Sequence, residues 1–198
     1  MKTRLTLATL MVWLAAALPA AAHDNSGMAG GLTSGLLHPV SGLDHLIAMV
    51  AVGLWGAQLG GRLRWLLPVV FPAVMAVGGA LGARGMPLPG VETGIALSAV
   101  LLGGAVALAA RPPVGLAVAL TGAFAILHGH AHGAELPAAA SPLGYGIGFV
   151  VATGLLHLTG IAVGTMHGWS PAGSRIVRGV GAAILLLGGF FLVSSLGG

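Results

Sequence analysis

Eight histidines stand in a chain that has only four acidic residues and no cysteine. Imidazole with carboxylate is the donor set of Ni2+, Co2+ and Zn2+, whereas a site built for Cu+ would want sulfur. Without Cys the chain forms no disulfide, thiolate zinc site or iron–sulfur cluster, so a bound metal must be held by His, carboxylate, Met or main chain. One group of candidates is His38-Pro39-Val40-Ser41-Gly42-Leu43-Asp44-His45. At 100° per residue His38 and His45 return to nearly one helix face, two turns and roughly 10 Å apart, with Asp44 to the side. One ion reaches both only if the helix bends. Pro39 and Gly42 are the residues that permit a bend, and carbonyls freed at a broken helix are themselves ion ligands.

The second group is His128-Gly129-His130-Ala131-His132-Gly133-Ala134-Glu135. His128, His132 and Glu135 follow a spacing of four and three, so they line one stripe that can offer two imidazoles and a carboxylate to one divalent ion. His130 points about 160° away from that pair and is not assigned to the site. His157, in an apolar stretch after Thr153-Gly154, is expected as a ligand or as the orienter of one. His167 beside Gly168-Trp169 reads as structural, and Glu92, next to Pro89-Gly90, as an acid favourably placed at a helix start with no further role.

The elements that position these residues follow from composition. Of 198 residues 57% are hydrophobic and 6% charged, far below the roughly 25% charge of a soluble domain. This is the composition of a membrane protein. Eight Lys+Arg make no patch dense enough for nucleic acid. Met1-Lys2-Thr3-Arg4, an apolar run from Leu5 to Leu18 and Ala20-Ala21-Ala22 predict a cleaved signal peptide over 1–22 and a single transmembrane domain over 23–198. Six apolar stretches, at 31–58, 66–84, 91–110, 114–134, 143–167 and 176–196, are long enough to cross ~30 Å of hydrocarbon. The fold class is therefore an all-α membrane protein, a six-helix bundle with both mature termini periplasmic.

That orientation places Arg62, Arg64, Arg111, Arg175 and Arg178 inside and only Arg84 outside, as the positive-inside rule requires. Ionisable residues within spans are costly and mark functional sites or pathways. Counting rise along straight helices puts His132 and Glu135 near the outer surface, His38 and His128 about 10 Å in, and His45 and His157 near or below the midplane. The pattern is a stepped entry path for a cation. A mature N-terminus at His23, with Asp24, would add an external chelating group. The chain contains no nucleotide-binding loop, so any transport must draw on gradients.

Three segments carry a family resemblance: His38-Pro39-x-x-Gly42-x-Asp44-His45; Phe124-Ala125-x-x-His128-Gly129-x-Ala131-His132-Gly133-x-Glu135; and Gly148-Phe149 to Ala152-Thr153 with His157. Together with the leader they make the chain resemble the HupE/UreJ family of hydrogenase and urease accessory permeases. The resemblance implies inward transport of Ni2+, or of Co2+ in some members, across the bacterial cytoplasmic membrane to supply metalloenzyme maturation. It implies no permanently bound cofactor, the metal being substrate, and as partners the divalent ion and the lipid bilayer, with protein partners left open. The residues expected to meet the metal are His38, Asp44, His45, His128, His132, Glu135 and His157. The expectation is a permease and not an enzyme; the competing reading is an intramembrane metal-dependent hydrolase using the same cluster, which should gather its ligands at one depth.

Overall fold

The structure, a computed structural model, describes residues 27–136 and 141–197. The expected signal peptide, its cleavage site and His23 lie outside these residues. The described chain is all helical: α1 (Gly27–Ser41), α2 (Leu43–Leu59), α3 (Leu63–Ala83), α4 (Val91–Leu108), α5 (Val114–Ala134), α6 (Pro142–Gly164), a 3-10 turn (Thr165–Gly168) and α7 (Pro171–Leu196). Local chemistry sets the boundaries. Ser141 and Ser170 cap α6 and α7 by accepting from the backbone N–H of Gly144 and Gly173, each followed by a proline in the first turn. Pro112-Pro113 precedes α5. The turn between α2 and α3 is made by Gly60 and Gly61, both at positive φ.

Helices α3 to α7 are each long and apolar enough to cross a membrane, and α1 with α2 makes a sixth, broken span bent by 82°. The protein is a multi-pass membrane protein. Its outward face is hydrocarbon, with Leu186 74% and Val193 72% exposed, as expected for side chains that meet lipid. The single continuous helix expected over 31–58 is corrected by the break. Gly42 lies in extended backbone (φ −95°, ψ 107°) between the two pieces, three residues after the helix-interior Pro39.

The helices are sorted into pairs by glycine. Cβ atoms on Gly129 and Gly133 of α5 would strike the carbonyls of Met75 and Gly79 of α3, and one on Gly148 of α6 would strike that of Leu32 of α1. Each pair therefore packs backbone against backbone, as small residues permit in membranes. The contacts advance together along both members, so α3 runs parallel to α5, and α1 and α2 run in the direction of α6. Helix α4 lies antiparallel to α7, with Ala107 against Gly181 and Val100 against Gly188. Between Gly35, opposite Tyr145, and Met49, bonded to His157, the broken chain spends 14 residues where α6 spends 12. The bend at Gly42 carries His38, Asp44 and His45 over to α5. They meet there with the start of α4 and the end of α5. Arg62 and Arg111, on connections, and Arg64, Arg175 and Arg178, in the opening turns of α3 and α7, sit at the opposite end of the bundle, and Arg84 at the cavity end.

Candidate metal site

The end of α1, the starts of α2 and α4 and the end of α5 enclose a cavity of about 280 Å³ lined by His38, Ser41, Gly42, Asp44, His45, Glu92, His132 and Glu135. Three of the chain's four acids thus face one small volume. The His38 Nε2–H donates to Glu135 Oε2 at 3.0 Å. His38, His132 and Glu135 each bring one ligand atom within 4.8 Å of the others, close enough for one ion to gather them. Glu135 just follows α5 and is half exposed, whereas His132 is buried.

Asp44 Oδ1 accepts from both the backbone N–H and the Nδ1–H of His45, each at 2.9 Å. This bond fixes the tautomer of His45 and leaves Nε2 as the lone-pair atom, the arrangement by which a carboxylate orients a metal-binding imidazole. His45 Nε2 is buried without a partner, and so are both ring nitrogens of His132. The two rings lie 4.4 Å apart, His132 is 4.8 Å from His38, and His45 is 5.1 Å from His128. Four imidazoles therefore form one unbroken chain of contacts leading inward from the cavity.

His128, fully buried, donates Nδ1–H to the Phe124 carbonyl at 2.9 Å, again leaving Nε2 unpartnered. His157 does the same toward Met49 at 2.8 Å. A buried polar atom left without a partner costs about 1–3 kcal/mol, and such groups recur here along one line. Phe71 of α3 packs against the last two imidazoles, its ring 5.3 Å from each.

The expected depth ladder changes in one respect. His45 is level with His128 and His132 rather than far below them, because rise per residue measures depth only along a straight helix and the bend turns α1 across the entrance. For the same reason His38 meets His132 and Glu135 instead of His128. His157 does not join the outer group. His130 points away, as its helical position predicts, and binds the Met86 carbonyl at 2.6 Å. His167 pairs with Ser174 at 3.1 Å. Glu92, assigned no role from sequence, lines the cavity, since the first turn of α4 and the last of α5 occupy the same end of the bundle. Sequence reasoning passed over Tyr145 and gave Phe149 no role beyond its place in the third family segment; their rings lie 5.7 Å from His38 and 4.3 Å from His132. The only signal for Tyr145 is that aromatic residues make up 5% of the chain.

A bundle of apolar spans enclosing a cavity of imidazoles and carboxylates defines a multi-pass membrane protein with a polar site at one end. The family model described as HupE / UreJ protein matches residues 10–191, and the chain belongs to that family. It is 46% identical over 180 residues to Protein HupE of Rhizobium leguminosarum bv. viciae, covering 90% of this chain and 94% of that protein. No solved structure matches the chain.

Proposed function

We propose that this protein carries a divalent transition-metal cation, Ni2+ foremost and Co2+ second, inward across the bacterial cytoplasmic membrane for the maturation of a metalloenzyme such as hydrogenase or urease. The observation that carries the reading is the cavity in which His38, Asp44, His45, His132 and Glu135 converge, continued inward by His128. Its donors are nitrogen and oxygen, matched to these ions, and the carboxylates offset the ion's charge as its water is stripped. The placement of five arginines at the opposite end of the bundle supports an orientation with the cavity outside. Asp44, Glu92 and Glu135 then face the external solution and attract cations to the mouth.

An inward step of two positive charges gains about 4.6 kcal/mol per 100 mV of membrane potential. Potential and capture of the metal inside the cell are enough to drive uptake without nucleotide. The hydrolase reading draws on the same residues, and the bend removes the depth argument against it. The continuation of the imidazoles to a fully buried His128, beyond the reach of a hydrophilic substrate, supports a path instead. The test is uptake of Ni2+, Co2+ and Zn2+ by proteoliposomes with an inside-negative potential. Saturable accumulation of Ni2+ above protein-free vesicles is expected; vesicles that accumulate none of the three would overturn the proposal.

A further inference from the structure

Beneath the outer cluster lies a second set of polar atoms that the cavity does not include. His157 is 1% exposed and Thr153 is fully buried, one turn apart on the same face of α6. Three other threonines in these helices satisfy their hydroxyls on the carbonyl four residues back: Thr33 on Ala29, Thr121 on Ala117 and Thr159 on Leu155. The Thr153 hydroxyl has no partner, and neither does His157 Nε2 or His128 Nε2. In both histidines the Nδ1–H is committed to a main-chain carbonyl, so each Nε2 presents a fixed lone pair to the interior. Three oriented donor atoms from two helices, in an otherwise hydrocarbon interior, are a costly arrangement unless something visits them.

Depth separates this set from the cavity. Phe149 touches His132, so Thr153 and His157 lie about 6 and 12 Å further along α6 at 1.5 Å per residue. His128, one turn below His132 on α5, is level with Thr153. From these positions we infer that Thr153 and His157 form an inner binding station for the transported divalent cation, which receives it from His128. Water supplies the remaining ligands. The station rests on the transport reading above and adds to it a second, separate stop. Phe71 touches both imidazoles, so its ring lines the step from one to the other.

The test compares wild type with His157→Leu, which keeps the volume apolar, and Thr153→Val, which is close to isosteric. Ni2+ binding to the purified proteins is measured by equilibrium dialysis, and uptake by the same preparations in vesicles. The expected result is that His157→Leu binds one Ni2+ fewer per chain, with the outer affinity kept, and that its maximal uptake rate falls by about 10-fold or more at an unchanged half-saturating concentration. Thr153→Val is expected to show a smaller fall of the same kind. Equal Ni2+ stoichiometry in wild type and His157→Leu would overturn the station, as would loss of the outer site in both variants, which would make these residues structural supports. Failure of wild type to accumulate any ion is a different result: it removes the transport reading, while the binding count still decides whether the inner site exists.

Discussion

His38 Nε2 and Glu135 Oε2 meet at 3.0 Å across 97 residues of chain, and theirs is a side-chain bond joining the end of α1 to the end of α5. The bond also occupies a nitrogen that a metal would need. On the proposed reading, an entering ion takes the place of this bond: the His38 proton moves to Nδ1 or leaves, and Glu135 changes from hydrogen-bond acceptor to ligand. Glu135→Gln removes the charge and keeps the shape. The half-saturating Ni2+ concentration should rise by about 10-fold, equivalent to about 1.4 kcal/mol, while thermal stability, measured by unfolding in detergent, should hardly change because the group is half exposed.

Asp44→Asn tests the orientation of His45. The amide oxygen can still accept the two N–H groups that Asp44 Oδ1 now holds, so folding and membrane insertion should be normal. Loss of the negative charge should nonetheless cut uptake by about 10- to 100-fold. His45→Ala should be at least as severe. Wild-type rates in either variant, at equal abundance, would remove this pair from the site.

External acidification should weaken uptake. Metal and proton bind the same lone pair of an imidazole nitrogen, so a more acid external solution competes with the ion at the cavity. His132→Ala should weaken apparent affinity, since that ring is buried in the cavity wall. His130→Ala should not, since that ring faces Met86 on the other side of α5. Uptake measured against both pH and metal concentration separates the two variants.

Gly42 is required for space. Its φ of −95° suits any residue, but a Cβ there would stand 3.2 Å from both Asp44 Oδ1 and His45 Nδ1. Gly42→Ala should therefore displace the carboxylate–imidazole pair by a few tenths of an ångström and reduce apparent Ni2+ affinity by about 3- to 10-fold, within the range for changes to a ligand's supporting contacts. A thermal midpoint near that of wild type is the accompanying expectation. Unchanged affinity would mean that the pair tolerates the shift.

Helix α5 was legible to the residue, 114–134, because a continuous apolar run follows two prolines and ends where histidines and an acid accumulate. The shared face of His132 and Glu135 was readable too, helical spacing being a local property; that His38 and not His128 completes the group with them was not. The bend at Gly42 was readable only as a capacity. Its effect depends on α5 and α6, which are far away in sequence, and depths counted along a straight rod misplaced His45 for that reason. Glu92 and Thr153 carried no periodic signal. A single acid at a helix start has a sufficient local explanation, and a single threonine among alanines and glycines has its meaning set by whether a carbonyl four residues earlier takes its proton, which only coordinates reveal.

The glycine contacts divide the machinery between two stiff bodies. Helices α1, α2 and α6 carry His38, Asp44, His45, Thr153 and His157; α3 and α5 carry Phe71, His128, His132 and Glu135. Among the described residues no main-chain hydrogen bond joins one body to the other, and the His38–Glu135 bond spans the gap at its outer rim. On the transport reading proposed above, an ion arriving at that rim replaces the His38–Glu135 clasp with its own bonds to both halves, so the cargo itself would set how tightly they are held together.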